Sequence, residues 1–295
     1  MGGSQTKPTV MLMVSMTVFG TIGLFVRYIP LPSAEIALYR ALIAMALLAA
    51  YLLITREGFG FAAVRRALPL LLLSGAAMGF NWILLFEAYR YTTVSVATLS
   101  YYFAPILVTV LSPLLFREKM TVKQAVCFAL ATVGLILVVL GTPEESGNNR
   151  HLIGIAFGLG AAVLYATVIL LNKGIREVTG IRRTFWQFIA AAAVLIPYVL
   201  CTGGVTASTL NGGGWAALLM VGAVHTGVTY CLYFSAMRSL SGQKIAILSY
   251  IDPLMAVILS VAVLHEPPTM WQAIGGAMIL IFTLISELKQ KTPQS

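Results

Sequence analysis

The residues able to do chemistry are few, and each lies in apolar surroundings. Asp252 stands beside Pro253. A carboxylate there can bind a cationic amino group or cycle a proton, or it can serve as a protonated or paired structural group. Arg40 sits in the apolar run after Tyr39. Its guanidinium suits a carboxylate held through two hydrogen bonds, or an ion pair with Glu87, and the sequence slightly favours the second. His225 can change charge near neutral pH, although a lone histidine more often makes an interhelical hydrogen bond. Pro105 and Pro253 each remove a backbone N–H, which frees the carbonyls of Tyr101 and Ser249 for a ligand and makes each proline a hinge. Eleven aromatics fall in the same segments: Phe19, Phe80, Trp82 (beside Asn81), Phe86, Tyr101, Tyr102, Tyr165, Trp186, Tyr230, Tyr233 and Tyr250. Such rings wall a pocket for a flat apolar ligand. The candidate substrate site is therefore Phe19, Asn81, Trp82, Tyr101, Tyr102, Tyr165, His225, Tyr230, Tyr250 and Asp252, with Pro105 and Pro253 as hinges and Arg40 and Glu87 as charge partners. Catalysis would need paired carboxylates, a histidine-rich metal set or a Ser/His arrangement. The other histidines, His151 and His265, lie near opposite helix ends from His225, so neither an enzyme nor a metal site is expected. Cys127, Cys201 and Cys231 have neither metal nor disulfide spacing and read as packing residues.

The elements that must hold these residues are membrane helices. Hydrophobic residues make up 59% of the 295 positions and charged residues 10%, a balance foreign to water-soluble domains. Crossing about 30 Å of hydrocarbon takes roughly 20 apolar residues. Ten segments meet that need, near 9–27, 34–55, 67–88, 93–116, 122–141, 152–172, 183–201, 214–237, 243–264 and 269–287. The first is too long for a signal peptide and lacks a cleavage site, so it is expected to be retained. The gaps carry turn chemistry at Pro30 and Pro32, Arg65-Arg66, 143–149 and Asn211-Gly212-Gly213. The excess of 19 basic over 10 acidic residues forms no patch of the kind nucleic acid requires. Fifteen of the basic residues, from Lys7 to Lys291, fall instead in alternate gaps. Because cytoplasmic loops hold such an excess, both termini are expected to be cytoplasmic.

The chain also repeats itself. A shift of 148 residues pairs Gly79 with Gly227, Phe86 with Phe234, Arg90 with Arg238, Tyr102 with Tyr250, Pro105 with Pro253, Ser112 with Ser260, Glu118 with Glu266, Thr121 with Thr269 and Gln124 with Gln272. A shift of 146 pairs Arg27 with Lys173. Five helices per repeat is an odd number, so the halves, 9–141 and 152–287, must cross in opposite directions. The loops agree: Arg117 and Lys119 in one half become His265 and Pro267 in the other. Inverted repeats are a plan of secondary transporters, whose substrate site lies near the midplane where the halves meet. Gly75-xxx-Gly79 and Gly154-xxx-Gly158 allow close helix packing.

The stretch Arg117-Glu-Lys-Met-Thr121-Val-Lys-Gln124, leading into a glycine-bearing apolar helix, and its partner His265-Glu-Pro-Pro-Thr269-Met-Trp-Gln272 resemble the twice-used signature of the EamA-type drug/metabolite transporter superfamily. Pro105, Pro253 and Arg40 match the same pattern. Among its members the chain is similar to bacterial exporters of aromatic amino acids, on the strength of Tyr102 before Pro105, Ser249-Tyr250 before Pro253, and Asn172-Lys173. The resemblance implies an all-α membrane protein of ten helices, in the bacterial inner membrane, that exports amino acids or related metabolites by alternating access. A nucleotide-sugar or sugar-phosphate carrier is the nearest alternative, and a non-transporting receptor or scaffold is a third. No P-loop is present to bring in ATP and no cofactor is expected. Proton coupling through Asp252 and passive equilibration both suit the sequence. The partners expected are a small-molecule substrate and the lipid bilayer, with the chain a monomer or weak homodimer. Glu118 and Glu266 lie at helix ends, where they are expected to orient loops or cap the next helix.

Overall fold

The computed structural model describes residues 6–116, 120–141, 149–175 and 177–288, and among these every regular element is helical. Arg117, Glu118, Lys119, Arg176, Lys289, Lys291 and residues 142–148 lie outside the described set. The elements are α1 (Thr6–Gly20), α2 (Ile22–Arg27), α3 (Ser33–Ile54), α4 (Phe61–Tyr91), α5 (Val94–Tyr101), α6 (Ala104–Phe116), α7 (Val122–Leu140), α8 (Arg150–Gly174), α9 (Gly180–Thr202), α10 (Gly212–Leu219), α11 (Thr229–Met237), α12 (Gly242–Ser249), α13 (Ile251–Ala262) and α14 (Met270–Glu287). Between α10 and α11 the chain winds as a π-helix, Met220–Val228. Counted as continuous rods, eight helices among the described residues are long and apolar enough to cross a membrane, and Ile247–Ala262 and Met270–Ser286 are shorter apolar helices.

The two faces of α7 show why these helices belong in lipid. Cys127, Ala131, Gly134 and Val138 recur at helical spacing and are buried, against α14. Val122, Val126, Val133, Ile136 and Leu140 share another stripe and are exposed. A helix apolar on its outer face has hydrocarbon for a solvent. Small residues let the pair close: a Cβ added at Gly134 would lie 2.7 Å from the Gly275 carbonyl oxygen. Gly75 and Gly79 face α9 in the same way, while Gly154 and Gly158 face Thr92, Ala97 and Ser100. Cys127 is buried as a packing residue, but Cys201 is exposed.

Caps set the ends of the elements. Thr121 and Thr269 each accept from the backbone N–H of a glutamine three residues on, whose side chain returns the bond. The paired Thr-x-x-Gln signature is thus a pair of capping boxes. Thr93 and Ser241, also 148 residues apart, cap α5 and α12. The rod near 67–88 is longer than expected. Arg65 and Arg66 lie in the early turns of α4, and the break falls earlier, at Gly58 and Gly60, whose positive φ values suit glycine.

Packing follows the repeat. The helix α4 lies against α8 and α9, α3 against α9 and the π-helix, α1 against α11 and α13, and α5 and α6 against α8; α5 also meets α13, and α7 meets α14. Exchanging each element of the first half for its counterpart in the second leaves this pattern of neighbours unchanged.

Candidate functional site

Two helix breaks face each other. The first is Tyr102-Phe103, between α5 and α6; the second is Tyr250, between α12 and α13. Pro105 and Pro253 fall in the first turns of α6 and α13, where a missing N–H costs nothing. Each proline therefore starts a new segment after an interruption. The Tyr102 hydroxyl crosses from one break to the other. It donates to Asp252 Oδ2 at 2.8 Å and lies 3.4 Å from the Ser249 carbonyl oxygen. The carbonyl expected to be open to a ligand thus has a tyrosine hydroxyl beside it.

A cavity of about 460 Å³ opens beside these breaks. Of the sequence-derived candidates, Phe19, Asn81, Trp82, Tyr101, Tyr102, Pro105, Tyr165, Tyr230, Tyr250, Asp252 and Arg40 line it. His225, Pro253 and Glu87 are not among the lining residues, nor are Phe80, Phe86, Trp186 and Tyr233. The rings meet in two groups. Tyr101 stacks on Tyr165 at 5.2 Å between centroids, Phe19 meets Tyr230 edge-on at 5.3 Å, and Tyr230 meets Phe188 at 5.7 Å. Asn81 is tied down, its amide donating to the Ala161 carbonyl at 2.6 Å. Sequence reasoning missed Tyr89 and Thr98, which also line the cavity with hydroxyl oxygens 3.5 Å apart. The signal was present: Met78, Trp82, Leu85 and Tyr89 form one stripe of α4, so extending the period from Trp82 reaches Tyr89.

The two charges of the cavity stand apart. Arg40 does not pair with Glu87, which meets Arg90 at 3.5 Å on the exposed surface. Arg40 is 5% exposed, and its Nε donates to the Thr226 hydroxyl at 2.8 Å. The guanidinium lies 4.5 Å above Trp82 and 5.7 Å from the Phe86 ring, where the faces of the rings attract a cation. Among the described residues no carboxylate lies within ion-pair distance of Arg40, and its terminal amino groups have no hydrogen-bond partner. Asp252 Oδ1 likewise receives no donor among them. Tyr89 and Tyr230 stand within electrostatic reach of both charges.

His225 lies behind the cavity wall, its Nε2 2.7 Å from Thr21 Oγ1 and its Nδ1 2.9 Å from the Met220 carbonyl oxygen. Thr21 is the break between α1 and α2, so the histidine makes an interhelical tie. Asn172 serves packing as well, accepting from Gln187 at 2.7 Å and Ser74 at 3.2 Å. Among the described residues no three His, Cys, Asp or Glu side chains converge as a metal site requires.

One end of the bundle carries a charged network. Glu266 pairs with Arg27 at 2.9 Å, accepts from the Val94 backbone N–H at 3.1 Å, and accepts from the Ser260 hydroxyl at 2.8 Å. Arg27 also donates to the Thr92 carbonyl at 2.7 Å. These bonds join the end of α2, the start of α5 and the loop after α13. Glu266 therefore orients this loop and covers the N-terminus of α5, where free N–H groups favour an anion. At the other end Lys173, the counterpart of Arg27, donates to Ser112 at 3.0 Å.

A family model described as EamA-like transporter family matches the chain twice, over residues 6–140 and 152–287. An uncharacterized transporter of Bacillus subtilis, YxxF, is 32% identical over 285 residues, covering 94% of this chain and 88% of its own. An uncharacterized transporter of Archaeoglobus fulgidus is 30% identical over 288 residues, 93% of this chain and 94% of its own. Solute carrier family 35 member G1 of Mus musculus is 22% identical over 91% of this chain and 74% of its own. A solved crystal structure superposes with a TM-score of 0.66 at 18% identity, covering 95% of this chain and 96% of that one, and shares the fold.

Proposed function

The chain belongs to the EamA-like transporter family, and from that premise we propose that it is a secondary transporter exporting amino acids with aromatic or other apolar side chains, and related metabolites. One observation carries the reading: Arg40 and Asp252 line the same aromatic cavity without pairing with each other. An amino acid fits such a site group by group. Its carboxylate takes the open amino groups of Arg40, its ammonium takes the open oxygen of Asp252, and its side chain lies among Tyr101, Tyr165, Tyr230 and Phe19. A sugar phosphate or nucleotide sugar calls for more basic groups than the single guanidinium among the described lining residues.

The architecture proposed is ten membrane helices in two inverted repeats, 9–141 and 152–287, with both termini cytoplasmic in a bacterial inner membrane. The exchange symmetry of the packing, the repeated caps and the basic loops of one face support it. Transport proceeds by alternating access, as the halves rock about the cavity and the breaks at Tyr102 and Tyr250 absorb the bending. Asp252 exchanges its ammonium partner for a proton, which couples export to the pH gradient.

Efflux of radiolabelled phenylalanine and tyrosine from proteoliposomes, with a pH gradient imposed or collapsed, tests substrate and coupling together. Both compounds should leave the vesicles, faster with the gradient imposed. No movement under either condition would sink the substrate assignment, and rates indifferent to the gradient would remove the coupling.

A further inference from the structure

The π-helix Met220–Val228 has a task that the cavity explains. Elsewhere in the protein, hydroxyls on α-helices bond back four residues, as Ser15 does to Met11, Ser100 to Val96, Thr109 to Pro105, Thr132 to Phe128 and Ser249 to Ile245. In the π-helix and at its junction with α11 the step is five: Thr226 donates to the Val221 carbonyl at 2.8 Å and Thr229 to the Val224 carbonyl at 2.7 Å. His225 Nδ1 meets the Met220 carbonyl in the same register. The wider turn changes where a side chain points. π-Helical turns are rare inside α-helices and recur at functional sites.

Packing holds the turn against the helix that carries Arg40. Gly222 and Gly227, spaced by the five-residue step, face Ile43 and Leu47 of α3. A Cβ on Gly222 would lie 2.8 Å from the Ile43 Cβ, and one on Gly227 would collide with Leu47. Ile43 and Leu47 continue the stripe of α3 that begins at Arg40. The backbone of the π-helix therefore lies close beside Arg40 and brings Thr226, which is 0% exposed, under the guanidinium. The single proton of the Thr226 hydroxyl is committed to Val221, so the oxygen can only accept from Arg40 Nε. With Nε held by Thr226 and the guanidinium over Trp82, the side chain has little freedom to turn, and Arg40 lines the cavity.

We infer that Thr226 is a positioning residue for substrate selection, with the π-helix holding it so that Arg40 presents its terminal amino groups to the carboxylate of the transported solute. The inference rests on the amino-acid reading above and adds to it the group that gives Arg40 its aim. A thiol or methyl at position 226 leaves the guanidinium charged but free to turn on its stem. The carboxylate is then held by a cation of the wrong orientation.

The test compares phenylalanine with phenethylamine, the same molecule without its carboxylate, in counterflow with reconstituted protein. Thr226→Val keeps the volume and loses the acceptor. It should raise the KM for phenylalanine about tenfold, the lower range for a hydrogen bond to a charged group, and leave phenethylamine unchanged. Thr226→Ser should restore the wild-type KM. Should Thr226→Val not insert stably, Thr226→Cys, with its weak acceptor, should show the same selective loss. Arg40→Gln separates the two levels of the argument. If Arg40→Gln abolishes the preference for phenylalanine while Thr226→Val and Thr226→Cys keep it, the positioning role is wrong and the reading beneath it stands. If Arg40→Gln keeps the preference, or wild type moves neither compound, the amino-acid reading falls and the inference falls with it.

Discussion

Replacing Tyr102 by phenylalanine removes one oxygen and tests how the two helix breaks are joined. The hydroxyl donates to Asp252 at 2.8 Å and stands 3.4 Å from the Ser249 carbonyl, so the change strips Asp252 of its one donor among the described residues. Interhelical hydrogen bonds in membrane proteins average about 0.6 kcal/mol and reach about 1.7 kcal/mol. A donor to a carboxylate belongs at the upper end, so the loss should come to about 1.5 kcal/mol. That is roughly a tenfold shift in any equilibrium in which the bond is made on one side only. The Tyr102 ring lies 6.3 Å from Tyr250 and 6.2 Å from Tyr101, close enough that the phenylalanine ring keeps the wall. Two measurements on purified Tyr102→Phe check the result. Thermal unfolding in detergent should fall by a few degrees, and counterflow of phenylalanine should change in rate while the cavity still admits the ligand. If both stay at wild-type values, the hydroxyl joins nothing of consequence, and the idea that the breaks act together through it is wrong.

Three further changes bear on other parts of the structure. Asp252→Asn keeps an acceptor for Tyr102 and removes the charge, so phenylalanine export should drop and lose its response to an imposed pH gradient while the protein still folds; unchanged export would take Asp252 out of the site. Glu266→Gln weakens the network that ties α2, α5 and the loop after α13 together, at a cost of about 1–2 kcal/mol, and the expectation is that this network restricts access to the cavity from that end. A cysteine introduced at Ile22 should then react several-fold faster with a membrane-impermeant thiol reagent from that end, and equal reactivity would reduce the network to a loop tie. Gly275→Ala forces a Cβ onto the Gly134 carbonyl and should lower stability by about 1–3 kcal/mol, whereas Gly212→Ala, with open space around it, should be near neutral; matching melting curves would refute the close-packing account.

What could be read in the sequence divides along a physical line. The bilayer demands length and apolarity, and both are properties of composition, so an all-helical membrane protein was legible, with eight of its helices long enough to cross among the described residues. Caps were legible too, because Thr-x-x-Gln makes its bonds within four residues. Direction was not. Phe80 turns away to meet Tyr198 at 5.5 Å, and Trp186 donates to the Phe59 carbonyl at 2.9 Å, although both sit in segments whose other aromatics reach the cavity. Arg40 was misassigned for the same reason: Glu87 is near in the helical layout, but its oxygen faces Arg90. The break at Thr21 and the π-helix left no sign in propensity, since neither contains a proline. Gly222 and Gly227 were the available clue, a spacing of five where α-helical packing favours three or four.

The repeat supplies two similar breaks, yet the chemistry at them is unequal, and this inequality has a consequence for transport. The counterpart of Asp252 is Ala104, fully buried, so the second carboxylate that symmetry would place is missing. The helix α9, counterpart of α3, has no basic residue beyond Arg183 in its first turn, so no second Arg40 faces the cavity from it. The cation therefore comes from the first half and the anion from the second. A ligand changes a conformational equilibrium only by binding one state better than the other. A solute held by one half alone would ride with that half and favour neither arrangement. A solute bearing both charges spans Arg40 and Asp252, and its fit depends on how far apart the halves hold them. In the proposed cycle this makes an amino acid able to bias the rocking motion, while an amine or an acid alone binds one half and leaves the other unengaged.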